Sequence, residues 1–234
     1  MNLPSNSFLE QICLVCTGGP DPFPPDRIRA WIREIAAHGQ VKGVVLNGAK
    51  AFYRSALLAE LSEFAREFGL GVVSDPYLGR PAWAPGGASD RPTSSLPYNG
   101  PCTLGNSPVI LPDGRVFACL GPIQSLDHDH PLSLGDLNQV SLAGILDRAQ
   151  ENSVLHALRV WGPWKLISMV EEVGGGRYLP DTYDRDSACD ACFHLMASPP
   201  LLELLLPLTQ GDGFRRALAQ SRAYFLGESM SGGA

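Results

Sequence analysis

The stretch CTLGNSPVILPDGRVFAC, residues 102–119, begins and ends on cysteine and carries the turn sequence Pro112-Asp113-Gly114. Residues 108–111 and 115–119 are short apolar runs on either side of that turn, the pattern of a β-hairpin. A hairpin fixes where its ends point, so it can aim Cys102 and Cys119 at one place. Cys189 and Cys192 follow later in the chain as a Cys-x2-Cys pair, read here as a turn that closes a cage of four sulfurs. Thiolates drawn from two separate elements suit an iron–sulfur cluster or a structural zinc ion. Zinc ribbons bring two short Cys-x2-Cys knuckles together. Only one half of this set is such a pair, which favours iron–sulfur.

Working outward, the segment before the hairpin alternates strand and helix patterns. Residues 8–16 are a short apolar strand, and Asp26 opens a helix running to His38, with Ile28, Trp31, Ile32 and Ile35 on one face and Gly39 as its stop. Residues 41–46 read as a buried strand. Residues 53–68 read as a helix with Leu57, Leu58, Leu61, Phe64 and Phe68 as its stripe, and residues 70–74 as a third strand. This βαβαβ order predicts parallel strands. Residues 79–101 are rich in Pro, Gly and Ser and read as a linker. After the hairpin, helices are expected over residues 140–150, 153–160 and 164–173, followed by a polar, irregular stretch over 177–188. A short Leu-rich helix over 200–206, a terminal helix over 212–226 and a disordered tail complete the reading.

The chain of 234 residues is long enough for a proper core, with 44% hydrophobic and 18% charged residues. A net charge of −6 excludes the basic footprint of a nucleic-acid binder and the polybasic patch of a membrane-surface protein. The start, MNLPSNSFLE, lacks a signal peptide's basic and apolar regions. The most apolar run, LLELLLPL at 201–208, is too short to span a bilayer. A cytoplasmic location is expected, where six cysteines stay reduced or bind metal.

The spacing Cys-x11-Gly-x4-Cys resembles the start of the auxiliary-cluster domain of radical S-adenosylmethionine enzymes, the SPASM domain or its shorter twitch form. Leu134-Gly135-Asp136-Leu137, Ser141-Leu142 and Ile145-Leu146 look like the stretch that follows in those domains, and a helix with Leu158-Arg159 leads to the Cys-x2-Cys. The full pattern continues Cys-x5-Cys-x3-Cys, but Ser198 and Leu202 stand there. The match is therefore to the one-cluster form, over roughly residues 100–200. It implies one [4Fe-4S] cluster on Cys102, Cys119, Cys189 and Cys192.

The N-terminal unit is similar to a truncated, degenerate radical-enzyme barrel. That family holds its catalytic cluster on Cys-x3-Cys-x2-Cys after the first strand. Cys13 and Cys16 match the last two positions, and Leu9 replaces the first. The family's second strand runs into Gly-Gly-Glu-Pro, and Asn47-Gly48-Ala49-Lys50 carries no glutamate here. S-adenosylmethionine is therefore not an expected cofactor. Cys13 and Cys16 read either as inert buried thiols or as a labile second metal site with a ligand from elsewhere.

The resulting expectation is an α/β chain. A truncated parallel βα partial barrel (1–78) and the linker (79–101) precede a small α+β SPASM/twitch-like cluster domain (102–200) and C-terminal helices (201–234). The resemblance extends to SPASM companion proteins of the GeoRSP type. It implies an accessory protein that works with a radical SAM enzyme on a peptide substrate, by holding the peptide, completing the enzyme or passing electrons. A divergent active radical SAM enzyme and a zinc-stabilised binding module are the alternatives. Three parallel strands alone would leave sheet bare near residues 41–46 and 70–74, where a partner enzyme or a second copy would dock. Among weaker candidates, Asp127-His128-Asp129-His130 reads as a divalent-ion site or, more simply, as a solvated loop. His194 reads as exposed, and Trp31, Trp161 and Trp164 as core.

Overall fold

The computed structural model describes residues 11–16, 24–48, 52–74, 93–184 and 187–228. Its first half has the βαβαβ order that the periodicity predicts: β1 (Gln11–Val15), α1 (Pro25–His38), β2 (Gly43–Asn47), α2 (Ala56–Glu67) and β3 (Gly71–Ser74). α1 begins on Pro25, whose ring presets a helical φ, with Asp26 at the positive end of the helix dipole. Ile28, Trp31, Ile32 and Ile35 recur at helical spacing and all enter the main core. α2 starts later than expected, because Ser55 caps it by accepting the Leu58 N–H, and Tyr53 lies in a preceding 3-10 turn. Leu61, Ser62 and Ala65 form its buried face. Phe68, expected in that stripe, sits past the last helical residue and is 45% exposed.

β1 pairs in parallel with β2, and β2 with β3. β4 (Thr93–Ser94) lies within the expected linker and pairs with a later strand. β5 (Val109–Ile110) and β6 (Arg115–Phe117) are the expected hairpin, closed by a bond from the Gly114 N–H to the Leu111 carbonyl. β7 (Ser133–Asp136) extends it. β5 also lies parallel to β1, with Cys13 opposite Val109. The result is one six-stranded mixed sheet, β3-β2-β1-β5-β6-β7, so a single sheet runs through residues on both sides of segment 79–101. Arg27 of α1 reinforces the join by donating to Asn138 Oδ1 at 2.6 Å, just past β7.

Six α-helices follow among the described residues. α3 (Leu142–Gln150) receives its cap from both halves: Ser141 Oγ accepts the Gly144 N–H, and Glu34 of α1 accepts the Leu142 N–H. α4 (Ser153–Trp161) is capped by Asn152, and α5 (Pro163–Glu172) opens on a proline. β8 (Tyr183–Asp184) is the partner of β4 and breaks up the stretch expected to be irregular. α6 (Ala188–Met196), α7 (Pro199–Gln210) and α8 (Asp212–Leu226) follow. The Leu-rich helix is longer than expected and carries Pro207 inside it. Trp164 proves 38% exposed rather than core. Among the described residues no single helix is long and apolar enough to cross a membrane; α6 and α7 pass that test only as a pair bent by 98°.

β2 is paired on both sides, and all five of its residues are buried. That corrects the expectation that residues 41–46 lie bare: β5 covers the far side of β1, and β3 flanks β2. Among the described strands, β3 alone ends the parallel side of the sheet. Amides of Val44, Val45 and Leu46 should therefore exchange far more slowly than those of β3 when deuterium uptake of the isolated protein is followed by mass spectrometry. Equal, fast exchange in both strands would contradict this arrangement.

Candidate metal centre

The hairpin and α6 bring their cysteines together. Cys102 sits just before a 3-10 turn at Leu104–Asn106, whose Leu104 and Gly105 backbone amides lie near enough to its sulfur to favour the ionised form. Its own N–H donates to the Leu158 carbonyl at 2.8 Å, which ties the hairpin entrance to the end of α4. Cys119 ends the second hairpin arm. The Gly121 N–H faces its sulfur, and Gln124 Nε2 holds its carbonyl at 2.8 Å. α6 packs against the 3-10 turn Pro122–Ser125 just beyond.

Cys189 and Cys192 lie in the first turns of α6 rather than in a loop, a correction to the sequence reading. Ser187 caps that helix by accepting the Asp190 N–H at 3.1 Å, so the helix begins before the pair. Residues three apart share a helix face, which aims both sulfurs the same way.

The electrostatics show the four thiols to be neighbours. Burial pushes Cys119 up first, and the charges of Cys102 and Cys189 push it further, against the Gly121 N–H. Cys192 is raised by burial and by Cys119, Cys102 and Cys189 in turn. Cys189 is pushed up to about 11 by burial, Cys102 and Asp190. Cys102 is raised by burial, with the two turn amides and Arg159 pulling the other way. All four are thiols, not disulfides. Among the described residues, no three or more His, Cys, Asp and Glu form a ready-made cage for a metal ion. The donor set nevertheless fits one: soft sulfurs that crowd and repel when ionised are stabilised by a polyvalent cation, which strips their protons. The amides at Cys102 and Cys119 supply the hydrogen bonds that anionic sulfur accepts.

A pH dependence follows. The folded, metal-free protein keeps protons on Cys16 and Cys189 up to about 12 and about 11, while the unfolded chain loses them near the ordinary 9.0. Stability present below pH 9 is therefore lost progressively as pH rises towards those values. Metal-free protein should show a melting temperature that falls across this window. Metal-loaded protein should lack the Cys189 share of that fall, since its proton has already gone. Identical alkaline profiles with and without metal would contradict the assignment.

The other candidates fall elsewhere. Cys13 lies on one sheet face with Val45 and Val109, while Cys16 enters the main core. Cys16 is raised to about 12 by burial and then by Cys13, which favours the inert, protonated thiol. Residues 17–23, where a further ligand would have to be sought locally, lie outside the described residues, as do Leu9 and the Ala49-Lys50 pair.

The Asp127–His130 run is solvated only at its two aspartates, which are exposed, while its histidines are held by the protein. His128 Nε2 donates to the Met196 carbonyl at the end of α6, and buried His130 donates to the Ile123 carbonyl while accepting the Leu132 N–H. Both rings pin the segment after Cys119 rather than facing an ion. His194 is half-exposed and pairs with Asp190. The sequence placed Arg159 on a helix before the Cys-x2-Cys pair but gave it no role at the site; it is buried beside Cys102, and its signal was a lone cation in the apolar run VLHALRVW of residues 154–161.

Compared with family models and with curated proteins, the chain has no match.

Proposed function

We propose that this chain binds one [4Fe-4S] cluster through Cys102, Cys119, Cys189 and Cys192 and acts as the accessory partner of a radical SAM enzyme that modifies a peptide. The observation that carries this reading is the meeting of four thiols whose ionised forms would repel one another, two from the hairpin segment and two from α6, with backbone amides near two of them. A cluster held there would supply one-electron chemistry. The protein's own residues would do the rest. The four cysteines bind, the Leu104, Gly105 and Gly121 amides stabilise charge on sulfur, and the burial of Cys119 and Cys192 keeps water away.

The resemblance to twitch-type SPASM domains supports iron–sulfur over zinc. The parallel strands β3-β2-β1 are what a truncated radical-enzyme barrel would retain. Leu9 in place of a ligand, and Asn47-Gly48-Ala49-Lys50 without a glutamate, favour an accessory role over catalysis by this chain.

Anaerobically reconstituted protein should be brown, hold four irons per chain (the content of one such cluster) and, when reduced and given S-adenosylmethionine, form no 5′-deoxyadenosine above a metal-free control. A colourless zinc protein would overturn the cluster reading. Multiple-turnover 5′-deoxyadenosine formation would overturn the accessory role and make the chain a radical enzyme.

A further inference from the structure

α4 carries an arginine that is only 2% exposed, Arg159, and every part of its guanidinium is engaged. Nε donates to Asn106 Oδ1 at 2.6 Å, and Nη2 to Glu228 Oε1 at 2.6 Å. Nη1 donates to His156 Nδ1 at 2.8 Å, and the opposite ring nitrogen donates to the Gln150 carbonyl at 2.9 Å, so His156 is held as the neutral tautomer. Glu228 is shared: its second oxygen accepts Arg222 Nε at 2.7 Å. The described end of the chain is thus drawn in, where the sequence predicts a loose tail. The knot contains two arginines, one carboxylate and a neutral histidine, so it is net cationic.

This cation lies beneath the first ligand. Asn106 ends the 3-10 turn whose Leu104 and Gly105 amides face the Cys102 sulfur. A Cβ on Gly105 would sit 3.1 Å from Arg159 Cγ, so the glycine lets the turn rest closely on the arginine stem. The residue before Arg159, Leu158, accepts the Cys102 N–H. A buried arginine could have been a bare packing device, but its fork is spent on the Cys102 turn and on a single acid, and its charge is left in excess beside sulfur.

We propose that Arg159 is the charge-compensating and positioning residue of the metal centre, and that Glu228 sets how much of its charge the centre feels. This rests on the cluster reading. One electron from dithionite reduces the oxidised cluster and makes the centre more negative, so a nearby cation favours the reduced state. Removing that cation must lower the midpoint potential. Removing the Glu228 charge leaves the cation less compensated and must raise it.

The test is an anaerobic, mediator-assisted redox titration of the reconstituted full chain, comparing wild type with Arg159→Gln, Arg159→Lys and Glu228→Gln. Arg159→Gln should lower the reduced-to-oxidised ratio at fixed potential tenfold or more, which is 59 mV for a one-electron couple. Glu228→Gln should shift it in the opposite direction, and Arg159→Lys, which keeps the charge, should lie close to wild type. If Arg159→Gln fails to hold iron, the opposite sign for Glu228→Gln and the near-wild-type value for Arg159→Lys carry the test. Unchanged potentials in loaded Arg159→Gln or Glu228→Gln, or shifts of one sign in both, overturn the role of Arg159 and leave the cluster standing. Wild type without iron overturns the cluster reading, and this inference with it.

Discussion

Replacing any one of Cys102, Cys119, Cys189 or Cys192 with alanine is expected to abolish the visible iron–sulfur absorbance of reconstituted protein and to loosen the half of the chain that follows residue 100. The reason is linkage. Metal-binding free energy is folding free energy when the ligands come from separate elements, and structural zinc sites of this kind are worth about 10–16 kcal/mol. Here Cys119 follows β6 of the hairpin, Cys102 lies before a 3-10 turn and is held to the end of α4, and the other two ligands lie on α6. Losing one sulfur therefore uncouples α6 from the sheet as well as lowering affinity. Cys13→Ala and Cys16→Ala provide the contrast, because those residues lie on β1 and just past its end, in apolar surroundings. Both variants should keep nearly all of their iron, with only the packing loss of a deleted buried sulfur. Iron content measured against protein concentration, together with amide exchange over α6, checks both halves of the expectation. A Cys189→Ala protein with full iron would remove the assignment.

The second large effect is expected at a position with no ligand of its own. Gly162 joins α4 to α5 at φ 78° and ψ 176°, a backbone region that is essentially restricted to glycine. A Cβ there would overlap the Gly100 carbonyl directly. Gly100 leads through Pro101 into Cys102, whose N–H is fixed to Leu158. Neither neighbour can yield cheaply, since both are backbone. Gly162→Ala should therefore cost about 3 kcal/mol or more, combining backbone strain of roughly 1–3 kcal/mol with displacement of the loop. Iron loading should fall with it, because the loop carries the first ligand. Gly174→Ala is the control: its φ of 87° is also positive, but a Cβ there meets nothing. It should cost only about 1–2 kcal/mol and leave iron loading intact. Chemical denaturation of the two variants gives the comparison, and equal losses would contradict the steric account.

Local pattern carried a good part of this fold into the sequence. The 108–119 hairpin was legible because its turn residues and apolar runs lie within a few positions of each other. α1 and α8 were legible because Asp26, Gly39 and Asp212 mark their ends locally, residues whose effect on the backbone needs no distant partner. Each cysteine pair stood out by its own spacing, while joining the two pairs into one set rested on the resemblance. α6 was less legible. Cys-x2-Cys suits either a knuckle or a helical turn, and the Ser187 cap decides between them.

What the tertiary structure alone decided is every feature that depends on distant parts of the chain meeting. β5 lies against β1, Cys13 beside Val109, and parallel pairing of this kind leaves no hairpin-like mark in the sequence. That one pairing turns a bare three-stranded unit into part of a shared sheet and buries β2. His128 and His130 read as ligands or solvated residues until the Met196 and Ile123 carbonyls are found within their reach. Arg159 looks like a lone cation on an apolar helix, and its hydrogen-bonding partners Asn106 and Glu228 lie 53 and 69 residues away. A buried guanidinium is tolerable only when its donors are met, and that condition concerns a place in space rather than a stretch of chain. Composition and spacing thus determined which groups could bind a metal, while the packing of α4 against the Cys102 turn and against α8 decided which charge stands beside them.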